Sequence, residues 1–270
     1  MSETTRPLVQ TNERPLSLPV NWPRRLAYIA LAIYAVYAAS TLDVSWARIV
    51  RGLPQGAHFL SRMWPPNVEP LKMDLMRQGL VESVEIAVLS TFFGVLLSLP
   101  LGLLAARNLM PAWVSWTTRG VTALLRSFNS VIVAILFVKA IGFGAFAGIL
   151  ALIVGTMGFV SKLFAEAIEE VNLGQVEAVR ATGASFTNVL IMGVLPQVMA
   201  RFAGFTAYQL DSNLRNSTMV GIVGGGGIGA ALFTAYQRFD YDYVFTILLA
   251  IIAIVMLSEL ASVQIRKIFQ

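Results

Sequence analysis

The chain has 270 residues, of which 56% are hydrophobic and 13% charged, and its formal net charge is +5. A soluble domain carries about 25% charged residues, so this composition excludes an ordinary soluble protein and predicts a chain that crosses the membrane several times. Cysteine is absent and His58 is the one histidine, which excludes disulfides, multi-histidine metal sites and a cysteine nucleophile. The basic residues stand singly between apolar runs, a pattern typical of membrane topology signals rather than of a nucleic-acid surface.

Residues 1–25 are polar and contain several prolines, and we interpret them as a flexible cytoplasmic tail. A helix needs about 20 apolar residues to cross a bilayer. Such runs predict six spans: Leu26–Leu42, Val81–Ala106, Gly120–Ile141, Ala145–Phe164, Phe202–Val223 and Tyr243–Val263. Small residues near the end of the first run resemble a signal-peptide cleavage site, but the polar lead is long, so we favour an uncleaved span.

Six spans put both chain ends on one side of the membrane, and the basic residues at their ends favour the cytoplasmic side. These residues are Arg24, Arg25, Arg107, Arg266 and Lys267. Residues 43–80 then form an extracytoplasmic loop, residues 81–265 the membrane core, and residues 266–270 a cytoplasmic C-terminus. The loop is less easily reconciled with this topology because it also carries basic residues, and its MWPPNVEP sequence suggests structure at the membrane surface.

A seventh span at Ala181–Ala200 is rejected, although the run lacks charge. Its polar residues and Pro196 favour a short helix that ends at the proline and packs against its neighbours. It belongs to a cytoplasmic segment, residues 166–200, between the fourth and fifth spans. Another short helix in this segment, Gln175–Thr182, is predicted to stop at Gly183, and Ala184-Ser185 then leads into the N-cap of the next helix.

Glu177-Ala178-Val179, Gly183 and Leu195-Pro196 stand at the spacing of a known signature. The pattern resembles the cytoplasmic loop of bacterial ABC importer permeases: Glu-Ala-Ala, three residues, glycine, nine residues, isoleucine, one residue, Leu-Pro. Val179 and Gly193 depart from it. The phrases GVLPQV, STMVGIVGGGGIG and FDYDYVFTILL are similar to permeases of phosphonate-type importers. Asn129 stands where that group commonly has proline, so the sequence no longer dictates a kink there.

The resemblance implies an all-α type I ABC importer permease: a core of five transmembrane helices plus one N-terminal helix, in the bacterial inner membrane. It implies a coupling helix that docks on an ATPase subunit through Glu177, Ala178, Arg180, Ala181, Gly183, Leu195 and Pro196. The implied partners are a second copy of the chain, two ATP-binding cassette subunits and an extracytoplasmic solute-binding protein. ATP and Mg would bind the ATPase, and this chain, which lacks a phosphate-binding loop, would hold no cofactor. The implied solute is phosphonate or a related oxyanion, phosphate or phosphite.

The fifth span carries Asp211, Asn213, Arg215 and Asn216 at bilayer depth, where charges usually face a partner or a solute path. Asp211 and Arg215 are four residues apart, so one hypothesis is an internal ion pair. The other is that Arg215, with the asparagines, meets an oxyanion, because a guanidinium can bind two oxygens at once. Arg126 in the third span is a further candidate for this path.

Gly224, Gly226 and Gly229 match the dinucleotide-binding pattern G-x-G-x-x-G. That pattern requires a preceding β-strand, whereas these glycines follow a predicted membrane helix, so we reject a nucleotide site. Together with Gly225 and Gly227 they are expected to permit close helix packing and unusual backbone angles, in a flexible or closely packed part of a gate. The resemblance implies a glycine-rich turn at the external mouth of the pathway.

Three other functions remain open. An ABC importer permease for a different small solute would share the same signature. A secondary transporter would be expected to show inverted repeats, and the sequence has no duplicated hydropathy pattern. A membrane enzyme would need a cluster of acid, base and nucleophile or metal ligands, and the scattered acidic residues offer none.

Overall fold

The computed structural model of the protein describes residues 22–42 and 45–269, with side chains described up to residue 264. Most of the tail predicted for residues 1–25 lies outside this range, and Trp22 to Arg25 belong to the first helix. The predicted C-terminal segment 266–270 continues the last helix as far as Phe269. The described residues contain no β-strand, which confirms the all-α prediction.

The helices are introduced in chain order. They are α1 Trp22–Thr41, α2 Trp46–Met63, α3 Pro70–Ala105, α4 Ala112–Ser127, α5 Ser130–Ile141, α6 Ala145–Glu169, α7 Leu173–Ala181, α8 Phe186–Val189, α9 Leu195–Ile222, α10 Ile228–Gln237 and α11 Tyr241–Phe269. A π-helical segment, Leu190–Val194, joins α8 to α9 and is called the π-turn below.

The chain divides into two compact units, residues 1–59 and 60–270. The first contains α1, which is apolar and exposed, and most of α2. The segment 43–80, expected as a loop, is largely helical, because α2 covers residues 46–63 and α3 already begins at Pro70. The helical spacing of Arg48, Arg51, Gln55 and His58 puts polar side chains on one face of α2, a signal that hydropathy alone does not detect.

In the second unit, α3 and α6 pack along each other at the centre. Glycines allow the close approach: a Cβ atom at Gly94 would lie 2.5 Å from Cβ of Thr156, and one at Gly102 would lie 2.6 Å from the ring of Phe164. Small residues serve this purpose between membrane helices because packing there depends on close contact. α9 contacts both helices, and α11 packs against α9.

Within the described residues, four helical stretches are long and apolar enough to cross a membrane, or up to six if each of two bent pairs forms one span. The expected third span, Gly120–Ile141, is one of these pairs, because α4 and α5 meet at 84°. Asn129 begins α5: its side-chain Oδ1 accepts a hydrogen bond from the Val131 N–H at 2.9 Å. Asparagine is a strong N-cap, so a bend exists where the sequence did not dictate a kink.

The prediction of a short helix ending at Pro196 is wrong, because α8, the π-turn and α9 form one continuous helix, Phe186–Ile222. The Leu195 N–H donates to the Leu190 carbonyl oxygen, five residues back. Pro196 follows in the first turn of α9. A π-turn widens the helix, so it accommodates a proline that would break a regular α-helix. Most of the run Ala181–Ala200, which hydropathy alone would count as a seventh span, therefore belongs to the same helix as the predicted fifth span, Phe202–Val223.

Candidate functional site

α7 is a short helix with well-defined ends. It begins after Asn172, whose Oδ1 accepts from the Gly174 N–H at 2.9 Å. It ends before Gly183, which has φ +77°, a backbone angle that favours glycine. The predicted helix Gln175–Thr182 is therefore present, beginning two residues earlier than expected.

α7 presents an exposed surface of small and charged side chains. Glu177, Ala178, Arg180, Ala181 and Gly183 are all exposed. Val176 is buried on the other side of α7, in an apolar cluster with Phe164, Ile168, Val194 and Val198. The remaining two predicted coupling residues are on α9: Leu195 packs against this cluster, and Pro196 is exposed. α7 is therefore held by the buried Val176 on one side and presents small and charged side chains on the other.

Gln197 of α9 connects α7 to the π-turn. Its Oε1 accepts from the Asn172 N–H at 2.9 Å, and its Nε2 donates to the Gly193 carbonyl oxygen at 2.6 Å. Gly193 lies directly under α7, where an added Cβ atom would be 3.4 Å from Cα of Val176. The glycine that departs from the signature thus lies at the contact between α7 and the π-turn. The sequence motif drew attention to Leu195 and Pro196 and missed Gln197.

Ion pairs hold the helix end that leads into α7. Glu169 at the end of α6 binds the Arg119 guanidinium of α4 at 2.6 Å and accepts the Arg107 backbone N–H at 2.7 Å. The next residue, Glu170, pairs with Arg201 of α9. Glu169 therefore ties the end of α6 to α4, and Glu170 adds an exposed ion pair between the end of α6 and α9.

A polar cavity of about 460 Å³ lies between α4, α5, α6 and α9. α9 supplies Gln209, Ser212, Asn213 and Asn216. These residues recur at i, i+3, i+4 and i+7, so they share one helix face. Arg126 from the last turn of α4 and Asn129 and Ser130 from the α4–α5 bend complete the polar lining. Of the predicted path residues, the structure brings Arg126, Asn213 and Asn216 together in this cavity.

Asp211 and Arg215 do not line the cavity. The Arg215 Nη2 atom lies 2.5 Å from Oδ2 of Asp211, and Ser258 of α11 donates to Oδ1 of Asp211 at 2.6 Å. The Asp211 side chain is 9% exposed and that of Arg215 is 48% exposed. The ion pair proposed as one alternative is present, on the face of α9 that meets α11.

Buried amide and hydroxyl groups connect the cavity to the core. The Asn213 Nδ2 donates to Thr91 Oγ1 at 2.9 Å and to Thr156 Oγ1 at 3.0 Å. Gln209 Nε2 donates to Asn213 Oδ1 at 3.0 Å and to Thr156 Oγ1 at 3.1 Å. This network ties α9 to α3 and α6 and fixes the cavity face. The sequence analysis missed Gln209 and Ser212, which the helical spacing of polar residues could have identified.

Gly224–Gly227 form a tight turn between α9 and α10. Gly224, Gly226 and Gly227 have φ of +100°, +81° and +74°. Gly225 is buried and has no space for a side chain, since an added Cβ would lie 2.4 Å from Cγ1 of Val220. At the start of α10, Gly229 touches backbone: an added Cβ would lie 2.0 Å from the Thr218 carbonyl oxygen. Of the two expected roles, close packing describes this turn, and the glycine pattern follows from backbone geometry.

Comparisons with known proteins agree with this architecture. Residues 98–270 match the model of the family "Binding-protein-dependent transport system inner membrane component". The chain is 40% identical over 208 residues to the phosphate-import permease protein PhnE of Mycolicibacterium smegmatis, which covers 77% of this chain and 39% of that protein. It is 36% identical over 256 residues to the phosphite transport system permease protein PtxC of Stutzerimonas stutzeri, covering 93% and 92% of the two chains.

The fold matches that of a solved transporter. An inward-facing structure of the MetNI methionine ABC transporter aligns with a TM-score of 0.68 and 26% identity, covering 75% of this chain and 100% of that one. A bacterial ABC transporter that imports alginate aligns with a TM-score of 0.58 at 16% identity, which is a likeness of fold alone. The family match over residues 98–270 and the extent of the relatives' similarity establish that the chain belongs to the inner membrane components of binding-protein-dependent transport systems.

Proposed function

We propose that this chain is the membrane-spanning subunit of an ATP-driven importer for phosphonate or a related oxyanion, phosphate or phosphite. The solute class is supported by the 36% identity to a phosphite permease over nearly the full length of both chains. Two copies of the chain, two ATPase subunits and an external binding protein would form the complete importer. ATP and Mg would bind the ATPase subunits.

The observation that carries the mechanism is the continuous connection from α7 to the cavity. In this proposal the exposed face of α7 docks in a groove of the ATPase, and the exposure of its small and charged residues supports that role. Gln197 and the buried Val176 attach α7 to the start of α9. Twelve residues after Gln197, the same helix supplies Gln209 to the polar lining of the cavity, followed by Asn213 and Asn216. A displacement of α7 by the ATPase would therefore move a wall of the solute path, which is what alternating access requires.

The glycine turn fits a role at the opposite end of the path. α9 has 28 residues, which corresponds to about 42 Å of helix, so the turn and α7 are separated by about the thickness of a bilayer. With α7 at the cytoplasmic side, Gly224–Gly227 would lie near the external mouth, where the binding protein docks. The tight packing of the turn favours a rigid corner that moves with α9 and α10.

The test is reconstitution in liposomes with the ATPase subunits and binding protein of the same transport system. Accumulation of radiolabelled phosphite, phosphate and methylphosphonate is measured with and without ATP. Methionine serves as the comparison solute, because a methionine permease of Vibrio cholerae is 28% identical over 52% of this chain and supports the alternative of a different solute. We expect at least one oxyanion to accumulate only with ATP and binding protein. Accumulation of methionine instead would overturn the solute class, and uptake without the ATPase would indicate a secondary transporter.

A further inference from the structure

We propose that the cavity between α4, α5, α6 and α9 is a transient contact site for a phospho-oxyanion within the membrane, with Arg126 as its cation. The identity of the solute rests on the proposed function, whereas the preference of the cavity for anions is a property of this chain. The sequence offered Arg215 and Arg126 as alternatives, and the geometry distinguishes them.

The first argument is charge. Among the described residues, Arg126 is the one charged side chain that lines the cavity, and no carboxylate does. The acidic residue of α9, Asp211, is held on another face by Arg215 and Ser258. Arg126 forms no ion pair within the described part of the chain. The cavity therefore has a net positive lining, and a guanidinium suits tetrahedral oxyanions because its planar donors match two oxygens.

The second argument is the state of the neutral donors. Both N–H groups of the Asn213 amide are used in the network to Thr91 and Thr156, so this residue shapes the wall rather than binding solute. Asn129 uses its Oδ1 to cap α5, which leaves its amide N–H groups for the cavity. Asn216 has only a weak contact, 3.4 Å, to Ser212. Hydrogen-bond donors thus line the same cavity as the cation.

The third argument is how Arg126 is placed. The α4–α5 bend rests on two glycines of α6: an added Cβ at Gly158 would lie 2.8 Å from the Arg126 backbone N, and one at Gly155 would lie 2.9 Å from Ser130 Oγ. The backbone of the bend therefore approaches α6 closely, which brings the exposed Arg126 side chain to the cavity. Packing sets the position of this backbone, and no ion pair within the described residues draws the guanidinium away from the cavity.

The fourth argument is size. A volume of 460 Å³ would hold about 15 water molecules at liquid density, far more than a phosphite or phosphate ion displaces. An ion in this cavity keeps part of its hydration and meets one cation at a time. Weak binding of this kind suits a path through which the solute must also leave.

Charge selectivity can be measured directly because the natural chain contains no cysteine. Ser212→Cys places a thiol in the cavity wall of the assembled transporter, and its modification rates by an anionic and a cationic methanethiosulfonate reagent of similar size are compared. We expect Arg126→Gln to lower the anionic-to-cationic rate ratio by about fivefold or more, since one unit charge is lost at short range. Arg126→Lys should keep most of the ratio. Lys139→Gln is the matched control, because this lysine of α5 does not line the cavity.

A ratio that stays within about twofold in Arg126→Gln, or that falls equally in Lys139→Gln, would overturn the proposal. Transport supplies the second measurement, with binding-protein-stimulated ATP hydrolysis recorded beside uptake. Arg126→Gln should lower oxyanion uptake per ATP at least about fivefold, and Arg126→Lys should rescue most of it. Co-purification with the ATPase subunits shows that each variant is assembled, and Arg126→Met, which also removes the charge, carries the same test if Arg126→Gln does not assemble. Failure of the wild type to import any oxyanion would refute the proposed function alone, whereas equal uptake by wild type and Arg126→Gln would refute this site alone.

Discussion

Replacement of Gln197 by methionine tests whether α7 acts on α9 through this side chain. Methionine has a similar length, but it can neither accept from the Asn172 N–H nor donate to the Gly193 carbonyl oxygen, the bonds observed at 2.9 and 2.6 Å. A hydrogen bond contributes about 1 kcal/mol net, and only the bond from Asn172 joins α7 to α9, because Gly193 and Gln197 belong to the same continuous helix. The variant therefore loses about 1 kcal/mol of attachment, which corresponds to about a fivefold change in the equilibrium between attached and detached α7.

The assay is oxyanion uptake per ATP hydrolysed in reconstituted vesicles. We expect Gln197→Met to lower this ratio by up to about fivefold while ATP hydrolysis continues, because in the proposed mechanism α7 can still dock but transmits less of its displacement. Gln197→Glu separates the two bonds: it keeps the acceptor for Asn172 and places a carboxylate against the Gly193 carbonyl, so we expect an intermediate loss. Gln237→Met, at the exposed end of α10, is the control. Wild-type uptake per ATP in Gln197→Met, or an equal loss in Gln237→Met, would refute the reasoning.

Three further variants test other parts of the structure. Gly183→Asp should uncouple ATP hydrolysis from uptake while the subunit still reaches the membrane, because a side chain is forced into a φ of +77° at the exposed end of α7; normal uptake would contradict this. Arg215→Gln should lower the free energy of unfolding of the purified protein by about 1–3 kcal/mol, since Asp211 is left buried with one neutral donor. Adding Asp211→Asn should restore part of this loss, whereas additive losses from the two substitutions would exclude coupling of the pair. Gly229→Ala should lower the free energy of unfolding by about 1–3 kcal/mol or more, because the added Cβ would lie 2.0 Å from the Thr218 carbonyl oxygen. Gly204→Ala is the control and should not destabilise the protein, because a Cβ added there has no atom within 4 Å.

Local chemistry made parts of this molecule predictable from the sequence. The end of α7 could be placed because only glycine adopts φ +77° readily, and the residues that follow it suit a helix start. The Asp211–Arg215 pair follows from spacing alone, since residues four apart lie on one side of a helix. The glycine turn was separated from a nucleotide site by what precedes it, a helix rather than a strand.

Features that depend on a balance between two local preferences were missed. Asn129 is tolerated within a helix and is also a strong N-cap, and the contact of the bend with Gly155 and Gly158 of α6 favours the cap. Pro196 usually ends a helix, but one extra residue in the turn before it removes the conflict. The sequence could indicate the polar face of α9 but not which residues of the other helices face it, because the cavity is lined by four helices whose relative rotation only packing decides.

The π-turn also determines helix phase. Each residue advances an α-helix by about 100°, and a turn closed by an i→i−5 bond contains one residue more than a regular turn. Deleting Met192, an exposed residue of this turn, would leave hydropathy and span length almost unchanged. The turn could then close as a regular α-turn, and the residues before it would keep their phase relative to the cavity face. If the unchanged sequence were wound as a regular α-helix, everything before the turn would instead be rotated by about 100° around the axis of α9. In the proposed mechanism, the winding of this one turn would therefore set the angle at which a displacement of α7 reaches the cavity face.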